Sequence, residues 1–256
     1  MAFGYIYITN KQQEILLLIY KFRFLNRIQI QTLLNHKDPK RINVWLKDLV
    51  EKKYLGRIYL RKIPENIKPA IYFTAINGIH FFERRSDCNS QILPRLKKEP
   101  YHSVRFRNHC IFLAQLYIDL LHSKNPDYIL ESFETKTNLA DYHNTLIPFP
   151  DVFITLTRQG KRKRKQQYFL ELVDEGTPRY YLRHRIKEYL DYFENHSLNT
   201  KVLLICPNEL TIKFMERFIP KKINQEYYYG NKSSFSLSLS EEVKNKGLVS
   251  DIWITI

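Results

Sequence analysis

Along the first half of the chain, apolar positions recur three or four residues apart in short blocks, then give way to strand-like runs. The stretch "TNKQQEILLLIYKF" (residues 9–22) opens with Thr9 or Asn10 as a helix cap, and Gln12 or Gln13 falls at the reciprocal capping-box position. Ile15, Leu18, Ile19 and Phe22 then share one helical face. "LNRIQIQTLLNH" (25–36) repeats the device with Asn26 and Gln29, and its apolar residues are Ile30, Leu33 and Leu34. In "DPKRINVWLKDLVEKK" (38–53), Asp38 can accept from the orphan N–H groups of the first turn, and Pro39 suits the first helical position. Ile42, Trp45, Leu46 and Leu49 form the apolar face of this third helix. "YLGRIYLRKI" (54–63) and "AIYFTA" (70–75) read as two strands joined by "PENIKP", and "INGIHFFERR" (76–85) as a short closing helix.

The second half has a different order. "VRFRNHCIFLAQLYIDLLH" (104–122) is an amphipathic helix with Phe106, Cys110, Leu113, Leu116, Tyr117 and Leu120 apolar, and its His109 reads as a structural histidine. "YILESFET" (128–135), "DVFITLTR" (151–158) and "QYFLELV" (167–173) are strands. A long helix follows at 178–196, then the buried strand "KVLLIC" (201–206), the helix "NELTIKFMERFI" (208–219), and late strands in "SSFSLSLS" and "DIWITI". The pattern predicts an α/β (α+β) chain in three parts. These are a winged helix-turn-helix over 1–84, a linker over 85–100 where clean periodicity is lost, and an α/β domain with a central mixed sheet over 101–256.

Charge sharpens this picture. The 256 residues hold 41 Lys and Arg against 26 Asp and Glu, a formal net charge of +15. The excess lies mostly in residues 1–100, with 19 basic against 8 acidic residues. A cationic front region favours a polyanionic partner, because each phosphate it neutralises releases condensed counterions. Three widely spaced cysteines, Cys88, Cys110 and Cys206, give neither a disulfide framework nor metal-ligand spacing, which suits a reducing cytoplasm. No apolar run approaches the roughly 20 residues that span a bilayer, so no membrane partner is expected.

In the third helix, Lys40, Arg41, Asn43 and Lys47 lie off the apolar face. Arg and Asn pair with base edges and Lys with phosphate, which is what a major-groove reader needs; a lone basic helix would be an ordinary solvated face. The neighbouring strand pair adds Arg57, Arg61 and Lys62, in the manner of a basic wing. Double-stranded DNA is therefore the expected partner, read by a dimer on two half-sites.

The second domain carries acids at strand ends. Nucleases of the PD-(D/E)xK type place an Asp at the start of one strand, a Glu on the next, and a Lys two residues after the Glu. Asp151 and Glu171 match the two carboxylates, which would hold Mg²⁺. Residue 173 is Val, so the usual cation is missing. The following helix offers Arg183, Arg185 and Lys187, and Lys187 is the better proton shuttle because Arg stays charged. Asp174 and Glu175 would enrich the acidic cluster. Strand-end acids with capping roles are the plainer reading of the same pair. Lys161 to Lys165 form a run of five basic residues at the hairpin turn, suited to lie along a phosphate backbone.

From about residue 9 to 205 the chain resembles the bacterial replication-relaxation family. The resemblance rests on "YLGRIYL", "YFTAINGIHFF", a helix with His109, "PDVFITL", "FLELVDEGT", and a basic residue four before a Tyr, here Arg185 and Tyr189. It implies a winged helix joined to a nuclease-like domain, in a protein of plasmid replication and copy control. The chain departs from the family pattern twice. Glu171 and Asp174 are separated by two residues instead of one, and the usual Lys before the Tyr is Arg185. The resulting expectation is a DNA-binding accessory of plasmid or mobile-element replication, needing no cofactor to bind and working beside replication or mobilisation proteins. The alternative is a Mg²⁺-dependent endonuclease using Asp151, Glu171 and Lys187.

Overall fold

The computed structural model describes residues 7–59, 68–123, 125–140, 149–160, 163–195, 200–225 and 235–256. They form a mixed α/β protein with a three-stranded antiparallel sheet and a six-stranded mixed sheet. The chain divides into two compact units, Met1–Ile118 and Asp119–Ile256. Among the described residues no helix is long and apolar enough to cross a membrane.

The first unit opens with α1 (Asn10–Phe22), capped by Thr9. The Gln12 N–H donates to Thr9 Oγ1 at 3.4 Å and the Thr9 N–H donates to Gln12 Oε1 at 2.9 Å, so two orphan donors are satisfied reciprocally. Asn26 and Gln29 close the same box on α2 (Arg27–Leu33). Asp38 caps α3 (Pro39–Glu51) by accepting from the Lys40 N–H at 2.8 Å. The core joins Ile15, Leu16 and Ile19 to Ile30, Ile42, Leu46 and Leu49, all buried. Leu16 fills the inner position expected of Leu18, and Trp45 sits half-buried at the edge of α3 against the His36 ring.

The strand pair is β2 (Leu55–Ile58) and β3 (Ile71–Thr74), with Leu55 opposite Thr74. A third strand, unforeseen from the pattern, is β1 (Leu25–Asn26), which pairs with β3 and gives the order β1-β3-β2. Two residues are too few to show a period. α4 (Ile76–Glu83) follows, and there Gly78 allows a close approach: a Cβ at that position would lie 2.4 Å from the Tyr54 carbonyl oxygen.

Residues 85–100, expected as linker, carry α5 (Leu93–Leu96) and lead into a 3₁₀ turn at Glu99–Tyr101, with Leu93, Leu96 and Glu99 buried. The division between the units falls later, inside α6 (Val104–Leu121) after Ile118. Glu99 accepts from Arg23 Nε at 2.8 Å, and Arg23 Nη2 lies 3.0 Å from His102 Nε2. Burial pushes the Glu99 carboxyl up to about 7, with Arg23 pulling the other way. Burial, then the charges of Arg23 and Lys98, lower His102.

In the second unit the large sheet runs β4-β5-β6-β7-β8-β9. β4 (Tyr128–Thr135), β5 (Val152–Arg158) and β6 (Arg164–Leu172) form an antiparallel meander, and β4 carries an irregularity between Leu130 and Ser132. β7 (Thr200–Cys206) and β8 (Phe235–Leu239) then add in parallel, and β9 (Ile254–Thr255) closes the sheet antiparallel to β8. Parallel neighbours need a crossover, supplied by α8 (Arg179–Asn195) between β6 and β7 and by α9 (Glu209–Gln225) between β7 and β8. Their apolar faces, including Leu182, Ile186, Tyr189, Ile212, Met215 and Ile219, cover Phe169, Val202, Leu204, Phe235 and Leu237 of the sheet. Leu170, Leu203 and Ile205, pointing the other way, are buried as well. That two-sided burial is why "KVLLIC" reads as an unbroken apolar run. Two short helices escape the pattern, α7 (Lys136–Leu139) and α10 (Ser240–Lys246).

Because folding raises the Glu99 pKa, the folded state holds this proton more tightly than the unfolded chain. Its contribution to stability is fully present below the ordinary value of 4.5 and is lost as pH rises toward about 7. The melting temperature of wild type minus that of Glu99→Gln is expected to fall across this window. A difference that stays flat from pH 4.5 to 7 would show that Glu99 titrates normally.

Candidate functional site

The end of β6 and the start of β5 meet in the interior of the sheet, at one end of the strands. Val152 pairs with Leu170, which brings Asp151 beside the end of β6. The Leu172 N–H donates to Asp151 Oδ2 at 2.8 Å, and Lys136 Nζ donates to Asp151 Oδ1 at 2.6 Å. Both carboxylate oxygens therefore hold a donor. Glu171 shares its sheet face with Phe169 and Val173, the face beneath α8. Its Oε1 accepts from Arg185 Nε at 2.9 Å, from Arg185 Nη2, and from the Tyr189 hydroxyl. Arg185 is further held by Glu188 at 2.9 Å and by the Phe149 carbonyl.

The electrostatics follow from burial. Asp151 is 5% exposed and Glu171 is 8% exposed, so neither carboxylate keeps its hydration shell. Burial pushes the Glu171 carboxyl up and the Asp151 charge adds to this, while Arg185 and Lys136 pull it back. The Lys136 side chain is 52% exposed, whereas that of Arg185 is largely buried. Asp151 and Glu171 hold the Lys136 ammonium above its ordinary value, and burial works against the Arg185 charge but Glu171 holds the guanidinium above its own. Burial, then the neighbouring Glu171, drives the Tyr189 phenol well above the usual range, so Tyr189 acts as a neutral donor.

The structure brings Asp151 and Glu171 into one electrostatic cluster and leaves Lys187 out of it. Lys187 is exposed, two residues along α8 from Arg185, and a helical turn of about 100° per residue sends the two side chains to opposite sides. The cations at the acids are Arg185 and Lys136. Lys136 has no counterpart in the sequence-level expectation because it comes from α7, after β4. Its one local signal is the capping box formed by Thr135 and Asn138. Val173 belongs to the apolar core under α8, and its N–H bonds the Ile205 carbonyl at 2.9 Å. Asp174 is half-buried and Glu175 exposed.

Among the described residues no group of three or more His, Cys, Asp or Glu is placed to hold a metal. The pair as it stands does not fit a hard dication. Such an ion takes oxygens stripped of competing donors, whereas Asp151 is filled by an ammonium and a backbone N–H, and Glu171 Oε1 by a guanidinium and a phenol.

In the first unit, α3 buries Ile42, Leu46 and Leu49 and exposes Lys40, Arg41, Asn43 and Lys47. Val44 is exposed on the same side. Lys47 lies 3.7 Å from Glu51, a solvent-screened pair, and the Arg41 guanidinium lies over the Trp45 ring at 5.8 Å. Arg57 is exposed on β2, above Tyr59 at 6.0 Å. Arg61 and Lys62 lie outside the described residues, as do Lys161 and Arg162 of the second unit's basic turn; Lys163, Arg164 and Lys165 of that turn are exposed. His109 is half-buried on α6, its ring parallel to Phe106 at 6.4 Å.

Arg185→Met would leave Glu171 buried without its cation, and breaking such a pair is expected to lower unfolding free energy by about 3–5 kcal/mol in urea titration. Replacing both partners, Arg185→Met with Glu171→Leu, should recover most of that loss. An Arg185→Met protein as stable as wild type would mean the pair is not neutralised by Arg185.

Compared with known families, residues 16–203 match the family described as replication-relaxation. Neither the curated proteins nor the solved structures give a match.

Proposed function

The chain belongs to the replication-relaxation family, and from that premise we propose that it is a DNA-binding accessory or regulatory protein in the replication of a plasmid or other mobile element. The family itself points to replication of mobile elements. In this reading the first unit is a winged helix whose α3 enters the major groove of duplex DNA. The observation that carries it is the one-sided burial of α3. Its apolar stripe is sealed into the core, and the opposite side offers a guanidinium, an amide and ammonium groups to solvent at successive turns. Arg41 and Asn43 would read base edges, while Lys40 and Lys47 would meet phosphate. Arg57, with Arg61 and Lys62 beyond it, would follow the backbone as a wing. Replication or mobilisation proteins would be its further partners, in the cytoplasm, with the protein acting as a dimer on paired half-sites.

The second unit then serves as a nuclease-like scaffold that holds without cutting. The support is chemical: Asp151 and Glu171 are committed to Lys136, Arg185, Tyr189 and a backbone N–H. One observation favours a second reading. The Lys136 ammonium, 2.6 Å from Asp151, stands beside the acid pair and could fill the role that Val173 cannot. A metal-dependent endonuclease of this kind would need Lys136 to leave Asp151, and Mg²⁺ would then supply Lewis-acid stabilisation of phosphate charge.

Arg41→Ala is expected to weaken binding to a specific duplex site by about 1–3 kcal/mol and to relax its sequence preference. Lys47→Ala should instead flatten the salt dependence of binding by about one phosphate contact. Unchanged affinity, preference and salt slope in both variants would remove α3 from the interface. Supercoiled plasmid incubated with the protein and Mg²⁺ or Mn²⁺ should stay intact. Nicking that disappears in Asp151→Asn would establish the endonuclease reading instead.

A further inference from the structure

Charge is distributed unevenly along α8. From Arg179 to Lys187 the helix carries Arg179, Arg183, His184, Arg185 and Lys187 and no acid; its acids begin at Glu188. Arg185 turns to Glu171, and His184 lies 3.5 Å from Glu188. Arg179, Arg183 and Lys187 remain exposed, and among the described residues none has a carboxylate within ion-pair distance. On the adjacent α9, Arg217 is in the same condition. On α9 and α10, Lys213 is matched by Glu209 at 3.5 Å and Lys246 by Glu242 at 2.6 Å. Arg179, Arg183, Lys187 and Arg217 are thus unmatched cations of α8 and α9, as Lys163, Arg164, Lys165 and Lys201 are elsewhere in the unit; the rings beneath Arg179 and Arg183 set the α8–α9 group apart.

Two of these cations are ordered in advance. The Arg179 guanidinium lies over the Phe214 ring at 5.2 Å, and that of Arg183 over Phe214 at 5.7 Å and Phe218 at 5.9 Å. Phe214 and Phe218 are themselves stacked, with centroids 5.8 Å apart. A planar cation resting on a ring keeps its N–H edge open for phosphate and loses little freedom on binding. Three residues before Arg183 on the same helix, Tyr180 is 74% exposed, so its ring adds little to the core. An unstacked base could lie on that ring while its phosphates meet the cations. A duplex keeps its base faces hidden and would leave the ring idle.

We propose that the α8–α9 surface is a binding site for single-stranded nucleic acid, in which a base stacks on Tyr180 and Arg179, Arg183, Lys187 and Arg217 hold the phosphates. The site is separate from α3 and does not depend on the duplex reading. Fluorescence anisotropy of the full chain with labelled oligo-dT, oligo-U and a random duplex tests it, the two single strands showing whether DNA or RNA is preferred.

The wild-type protein is expected to bind a single strand. Tyr180→Ala should weaken that binding roughly 5- to 150-fold, the value of one stacked base, with a smaller effect on the duplex, and Tyr180→Phe, which keeps the ring, should restore it. Arg183→Ala should lower the salt slope by about 0.7. Both side chains are exposed, so these variants keep the fold. The proposal is overturned if Tyr180→Ala binds the single strands like wild type, or if it loses duplex affinity by the same factor. Competition by polyglutamate as effective as that by oligo-dT would also overturn it, by making the surface a general anion trap. Loss of duplex binding alone in the α3 variants leaves these readouts intact and speaks only to the first unit.

Discussion

A carboxylate set beneath a helix has to be neutralised where it stands. Glu171 occupies the face of β6 that α8 covers, with Phe169 and Val173 on either side in the same row. Removing such a charge from water carries a penalty of several kcal/mol, offset only by a close cation and further hydrogen bonds. Arg185 and Tyr189 provide both from successive turns of α8, at the i and i+4 positions that share a helix face. This interaction fixes the rotation of α8 against the sheet. It also places Ile186 and Leu190 inward, and it turns Arg183 and Lys187 toward solvent. The apolar packing of the second unit and the charged surface of α8 are two consequences of one constraint.

The same constraint shapes the chemistry. An acid pair serves a metal when its oxygens are free to coordinate. Here Asp151 and Glu171 face an ammonium, a guanidinium, a phenol and a backbone N–H, so the cluster is internally balanced. Arg at position 185 matters for this reason. Its forked donors can serve Glu171, Glu188 and a carbonyl together, which a single ammonium does less well.

The first unit follows a different logic. Its helices are fixed by reciprocal caps and a shared aliphatic core, and α3 gives one side wholly to that core. The exposed side is then free to carry Lys40, Arg41, Asn43 and Lys47 without any packing consequence. Segregating stability to one side and charge to the other allows the surface residues to be selected for a partner alone.

Much of the fold was legible in the chain, because caps and periodicity are local signals. Thr9 with Gln12, Asn26 with Gln29, and Asp38 with Pro39 mark three helix starts. The runs at 128–135, 151–158 and 167–173 identify three strands, although not their antiparallel order or register. Elements of two to four residues, such as β1, α5 and α7, were beyond that reading, since they are too short to display a period. Asp151 and Glu171 could be picked out because strand-end position is itself a sequence property. Which cations meet them could not. Lys136 is 15 residues from Asp151 along the chain and reaches it because β4 pairs with β5. Lys187 and Arg185 are chemically similar in the sequence, and only the seating of α8 on the sheet sends one to the acids and the other to water. The sequence determines where charges lie along each element; their partners are decided by tertiary packing, because electrostatic interaction depends on distance in space and on the loss of water around each group.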